Sequence, residues 1–182
     1  MVDHCVEEFK LAEDIDITDD PKAMMRLRHE CEKSKKVLSA ATEAEIHIDS
    51  LKDEDFDYRL TREKFNELCA PELDKIIPLI QQALDDAQLK KEDMHSIVLA
   101  GGSMRVPICQ EILSQFFGKR LDQTLNPDEC IAQGASILAA KKSLNNKHRG
   151  GLSEVVIIDA VPKSIGVVLI GGRLGVIIPK NT

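Results

Sequence analysis

Three groups of residues have the types and spacing to do chemistry. Glu32, Lys35, Lys36 and Ser39 recur at i, i+3, i+4 and i+7, which puts an acid, two ammonium groups and a hydroxyl on one helical face. Such a row can hold a ribose diol and a purine edge, and it is equally what an ordinary solvated helix face looks like. Gly101-Gly102-Ser103-Met104-Arg105 follows the short apolar run Ile97-Val98-Leu99. A glycine turn between a strand and a helix lets the backbone approach a ligand and offers the positive helix end to a phosphate. Arg105 has a planar guanidinium that can stack on a base. The turn is neither a Walker loop nor the spaced dinucleotide fingerprint, and by itself it also fits a plain tight turn. Asn126-Pro127-Asp128-Glu129 makes the third group, and in isolation it reads as a helix cap.

These groups need elements to hold them. Residues 1–13 form a short helix with Val2, Cys5, Val6 and Phe9 on one stripe. Thr18-Asp-Asp-Pro21 opens a second helix, expected to reach about Ala41, with Met24, Leu27, Cys31, Ser34 and Leu38 inward. Alternation predicts strands over Ala44–Asp49 and Asp55–Leu60. Thr61 starts a helix through Cys69, and Pro71 starts another to about Ala87 with a kink at Pro78. Ser96–Ala100 reads as a strand, Val106–Phe117 as a helix, and Ile131–Lys142 as an Ala-rich helix. Leu144–Gly151 is polar and rich in breakers, a linker pattern. Beyond it lie three β-branched runs, Val155–Ile158, Ile165–Ile170 and Leu174–Ile178.

Composition narrows the function classes. The chain has 182 residues and a formal charge of −7, which argues against a broad nucleic-acid face. Five Phe, one Tyr and no Trp argue against a base-stacking platform or a carbohydrate cleft. No apolar run is long enough for a bilayer, so no membrane association is expected. Cys5, Cys31, Cys69, Cys109 and Cys130 include no CxxC pair, so they read as small core hydrophobes rather than metal ligands. His4, His29, His47, His95 and His148 show no partner at catalytic spacing. No secretory signal precedes the first helix, and a cytoplasmic location is the default expectation.

Several stretches, in order, resemble the seventy-kilodalton heat-shock protein family of ATP-driven chaperones. They are Met1-Val-Asp-His-Cys-Val-Glu-Glu-Phe, Arg26-Leu-Arg-His-Glu-Cys-Glu-Lys-Ser-Lys-Lys-Val-Leu-Ser, Ile48-Asp-Ser-Leu and Leu60-Thr-Arg-Glu-Lys-Phe-Asn-Glu-Leu-Cys. Ile97-Val-Leu-Ala-Gly-Gly-Ser-Met-Arg-Val-Pro, Leu125-Asn-Pro-Asp-Glu, Glu154-Val-Val-Ile-Ile-Asp and Val161-Pro-Lys-Ser-Ile-Gly continue the match. The resemblance implies an α/β chain with a partial actin-like ATPase fold, namely a lobe II portion of helices and a small sheet, then a short β stub. It divides the chain into residues 1–143 of the nucleotide-binding domain (1–70 outer, 71–143 partial inner subdomain), a linker over 144–159, and the start of a peptide-binding β-sandwich over 160–182.

Residue by residue, the resemblance gives Glu32 and Lys35 to the ribose of ATP or ADP, and Lys36 and Ser39 to the adenine side. Gly101, Gly102 and Ser103 lie against the nucleoside and nearest phosphate, Arg105 against the ring, and Asp128 near the purine end. Lys36 stands where the family usually has Arg, and Met104 where it has Thr. Cys130 and Gln133 replace the common Ala and Tyr. No catalytic residue and no metal ligand is assigned, because the phosphate loops, the catalytic lysine and the Mg²⁺-organising carboxylates of the complete domain have no counterpart here. The implied role is part of an ATP-dependent folding chaperone that does not hydrolyse ATP alone. Nucleotide exchange factors and J-domain co-chaperones are the implied partners, and unfolded client peptides bind only the full-length family protein. The alternative is a non-catalytic interaction protein that engages those exchange factors or co-chaperones.

Overall fold

A computed structural model of the protein describes residues 1–143 and 156–182. Helix α1 (Val2–Glu13) buries Cys5, Val6 and Phe9 and ends at Asp14, whose left-handed backbone returns its N–H to the Lys10 carbonyl. Helix α2 (Pro21–Leu38) starts where the sequence predicts. The Asp20 carboxylate accepts from the Lys22 and Ala23 amides, and Pro21 occupies the first turn, where no amide is needed. Its inward face is Ala23, Leu27, Cys31, Ser34 and Leu38, while Met24 is only half-buried. The helix stops three residues short of the expected Ala41. The Arg62 guanidinium accounts for the stop, because it donates to the carbonyls of Leu38 (2.8 Å) and Ala41 (2.7 Å). The Leu38 carbonyl is one of the last four of the helix, which have no helical partner of their own.

Strands β1 (Glu43–Leu51) and β2 (Glu54–Thr61) form an antiparallel hairpin in the register Ala44↔Leu60, Ile46↔Tyr58 and Ile48↔Phe56. Both turn residues, Lys52 and Asp53, have positive φ, as a two-residue hairpin with right-twisted strands requires. The alternation turns Ala44, Ile46 and Ile48 toward α2 and leaves Glu43, Glu45 and His47 in solvent. Phe9, Ile17, Leu27, Leu38, Ile46, Leu51 and Leu60 are fully buried. Phe9 meets Phe56 edge-to-face at 5.5 Å. Among the described residues, all of the largest fully buried side chains therefore come from the first sixty positions.

Helix α3 (Arg62–Leu73) is capped by Thr61, whose hydroxyl accepts the Lys64 amide at 3.1 Å. Two expectations fail here. Pro71 does not open a new helix; it lies inside α3, two residues from the end, where its missing N–H forfeits only one helical bond. The break falls at Asp74-Lys75, and α4 (Ile76–Ala87) carries Pro78 as its third residue. A proline in the first turn replaces an amide with no helical acceptor, so no kink is required there.

The run Ser96–Ala100, expected as a strand, makes one parallel bridge, Val98 to Asp122, and no ladder among the described residues. Leu99 is still buried, in a small cluster with Leu113 and Leu121. A 3₁₀ turn over Gly102–Arg105 leads into α5 (Pro107–Phe117), and α6 (Cys130–Ser143) follows with no buried residue. The expected linker falls mostly on residues 144–155, outside the described residues. Of the first β-branched run, Val156–Ile158 is exposed and not a strand. The later two runs pair as the hairpin β3 (Ile165–Val168) and β4 (Leu174–Ile178), turning at Gly171 and Gly172 with φ of 87° and 75°.

Candidate functional site

The second half of α2 carries the first group of candidate residues. Ser34 and Leu38 are buried, which rotates Glu32, Lys35, Lys36 and Ser39 to the outer flank. The Glu32 carboxylate accepts from Lys35 Nζ at 2.6 Å and has Lys36 Nζ at 3.5 Å. Lys35 first, then the charge of Lys36, hold this carboxyl below the usual glutamate range, so it is anionic at neutral pH. Ser39 ends the helix, and its hydroxyl points back to the Lys35 carbonyl at 3.5 Å. The hydroxyl is thus weakly held and available to a second acceptor.

Opposite stands the glycine turn. Gly101 has φ of 92°, where a side chain would be strained, and its amide donates to the Pro127 carbonyl at 2.7 Å. A Cβ on Gly102 would lie 2.8 Å from Asp128 Oδ1, so the close approach of turn and carboxylate requires glycine there. Arg105 is locked by the same loop. Its Nε donates to Asp128 Oδ2 at 2.7 Å, and a terminal nitrogen donates to Asn126 Oδ1 at 2.9 Å. The guanidinium plane is thereby fixed along one edge.

These segments meet. Glu32, Lys35, Lys36, Ser39, Gly102, Ser103, Arg105 and Asp128 surround one cavity of about 470 Å³, with Val106 as an apolar wall. Of the nine residues expected from the sequence, only Gly101 lies behind the lining, where it shapes the turn. The sequence reading misses Asn126 as the second anchor of Arg105, since the Asn-Pro-Asp signal points only to a capping role. Met104, the departure from threonine, packs against the Leu99–Leu113–Leu121 cluster and does not line this cavity.

A second cleft of about 440 Å³ lies between α2 and β1, lined by Met25, Arg26, His29, Glu30, His47, Ile48 and Asp49. Here the reading of unpartnered histidines needs correction. His47 Nδ1 is 2.6 Å from Asp57 and Nε2 is 3.0 Å from Asp49, and these carboxylates, Asp57 foremost, raise the imidazole above its ordinary pKa. His4 meets the Tyr58 hydroxyl at 2.8 Å. Asp49 follows from the period of two along β1, whereas strand pairing brings Asp57 to His47 and helix packing brings Tyr58 to His4, which no local spacing reveals. Among the described residues, no group of three or more His, Cys, Asp or Glu is placed to hold a metal ion, and no helix is long and apolar enough to cross a membrane.

The mix of helices with small antiparallel sheets is that of a partial actin-like ATPase fold. The family model described as Hsp70 protein matches residues 1–182, and the chain belongs to that family. It is 40% identical over its whole length to heat shock cognate 70 kDa protein 3 of Dictyostelium discoideum, of which it covers 29%. It is 37% identical to a ribosome-associated molecular chaperone of Saccharomyces cerevisiae, covering 30% of it. It is 38% identical to a heat shock 70 kDa protein of Neurospora crassa, covering 28%. The chain thus spans about three tenths of the length of these relatives.

Proposed function

We propose that this chain supplies the adenosine side of the ATP/ADP site of a protein-folding chaperone. The observation that carries this reading is the convergence of eight residues from three separated segments on one cavity. In it the Glu32 carboxylate accepts from the ribose hydroxyls while Lys35 donates to them. Lys36 and Ser39 meet the adenine edge, and Arg105, held flat by Asn126 and Asp128, stacks on the ring. Gly101, Gly102 and Ser103 bring backbone amides to the nucleoside and its first phosphate, and Asp128 closes the purine end. Lys36 gives this site a compact ammonium where a guanidinium would stack, so affinity for the base is reduced, not abolished. Every residue assigned here stands on the nucleoside side, whereas phosphoryl transfer depends on positioning around the γ-phosphate, with Mg²⁺. Hydrolysis and the capture of unfolded peptides therefore belong to the longer family protein, while exchange factors and J-domain co-chaperones are the partners this chain's surface would meet.

The test is a thermal melt with and without ADP. ADP at ten times its Kd stabilises the native state by about 1.4 kcal/mol, an upward shift of a few degrees. Glu32→Ala and Lys35→Ala each shrink the shift while leaving the unliganded melt nearly unchanged, because both side chains are solvent-facing. A cooperative melt indifferent to millimolar ADP and to adenosine overturns the assignment.

A further inference from the structure

Cys5 on α1 and Cys31 on α2 are twenty-six positions apart in sequence, yet their sulfurs lie 3.8 Å from each other. Both are reduced and almost wholly buried, at 0% and 3% exposure, among Phe9, Ile17, Leu27 and Phe56. Between them they make one thiol contact, so at least one S–H points into an apolar core with no better acceptor there than sulfur. The remaining cysteines are placed differently: Cys69 and Cys130 are half-buried, and no bond joins Cys109 to another thiol among the described contacts.

We propose that Cys5 and Cys31 form a dithiol that hydrogen peroxide closes to a disulfide, stapling α1 to α2 inside the folded core. Closure needs the sulfurs to approach from 3.8 Å to about 2.05 Å, a distance within reach of small rotations about the two Cα–Cβ bonds and a slight helix shift. The hydrogen bond with Cys31, and burial, push the Cys5 thiol above the ordinary range, while the same hydrogen bond lowers Cys31. Cys31 is the less deeply buried of the two, at 3% exposure against 0%, so it meets peroxide first and is the attacking sulfur. Its thiolate takes one oxygen of peroxide, the O–O bond breaks, and the departing hydroxide combines with the proton Cys31 released to give water. The Cys5 sulfur then attacks the sulfenic sulfur; the S–S bond forms, the S–O bond breaks, and the oxygen leaves as a second water with the Cys5 proton. Two thiols lose two electrons in total, and one peroxide becomes two waters. The product has no S–H left to satisfy in the apolar core. Because the pair is buried, peroxide reaches it at the rate of local opening, and the bond, once made, opposes that opening.

The experiment oxidises the reduced protein with hydrogen peroxide, blocks residual thiols and maps tryptic peptides without reduction. The expected product is Met1–Lys10 joined to His29–Lys33, at their summed mass less two hydrogens. Its formation raises the melting temperature by about 10 °C, as a staple across a loop of this length does, and a reductant reverses the rise. Cys5→Val, which keeps an apolar side chain of similar size, abolishes both the linked peptide and the peroxide-induced rise. Three results each overturn the proposal. They are Cys31 stopping at sulfenic or sulfinic acid in wild type, Cys31 linking instead to Cys69, Cys109 or Cys130, and an equal rise in the Cys5→Val protein. The peptide map of the wild type decides the matter even where a variant folds poorly.

Discussion

Ser34 is the one polar residue buried in the core among the described residues, and removing its hydroxyl measures how firmly α2 is held in register. The side chain is 3% exposed and donates to the Glu45 carbonyl of β1 at 3.0 Å. In Ser34→Ala that carbonyl loses a donor whose own side chain is almost wholly buried, a loss of about 1–3 kcal/mol. Alanine returns roughly 0.5 kcal/mol in helix propensity, and the missing oxygen leaves too little space to matter as a cavity. The net destabilisation is about 1.5 kcal/mol, a fall of about 5 °C in melting temperature. Ser136→Ala is the matched control. That hydroxyl also donates to a backbone carbonyl, of Gln133 at 2.7 Å, but on the exposed face of α6. Water replaces it there, and the variant melts unchanged or slightly higher. Circular dichroism melts of both proteins make the comparison. If Ser34→Ala melts with Ser136→Ala, the bond from α2 to β1 contributes nothing and the reasoning fails.

Two other expectations are open to the same instruments. Gly102→Ala places a Cβ 2.8 Å from Asp128 Oδ1, so the carboxylate must retreat by about half an ångström while Arg105 holds its other oxygen. Stability changes little, and ADP weakens about threefold, or ~0.7 kcal/mol, read as a smaller ADP-induced shift; full retention of the shift separates Asp128 from the nucleotide. His47 binds its proton more tightly folded than unfolded, so its contribution is fully present below the ordinary imidazole value and is lost as pH rises through the higher folded value. Wild type should therefore exceed His47→Gln in melting temperature at about pH 5.5 by more than at about pH 8.5. A proton-NMR titration placing His47 at or below the ordinary imidazole value refutes this.

Legibility varies along the chain for identifiable reasons. The strands at 43–51 and 54–61 and the stripe Cys5–Val6–Phe9 are readable because burial of one face imposes a period on neighbouring residues. The proline at 71 misleads because its effect depends on its distance from the helix end, not on its presence. The run Ser96–Ala100 has the composition of a strand, yet a strand needs a partner along its length, and Asp122 supplies one bridge. For the site, spacing alone leaves Glu32, Lys35, Lys36 and Ser39 indistinguishable from a solvated helix face, and the order of motifs singles them out.

By itself the sequence determined the family, the helix starts at Asp20 and Thr61, the hairpin and its buried face, and which residues were candidates. Each is a local property: a cap is settled by atoms within one turn, and amphipathic register by the residue types on either side. Tertiary structure alone decided the dimensions of the cavity between α2 and the Gly101–Arg105 turn, that Asn126 joins Asp128 in orienting Arg105, that Asp57 joins Asp49 at His47, and that Cys5 touches Cys31. Those contacts join positions up to ninety-six residues apart, Glu32 to Asp128 being the widest span in the cavity. Burying the faces of α1, α2 and β1 together fixes the side chains those elements carry, and Val106, packed against the Leu38–Ala44–Leu60–Phe65 cluster, brings the turn to α2.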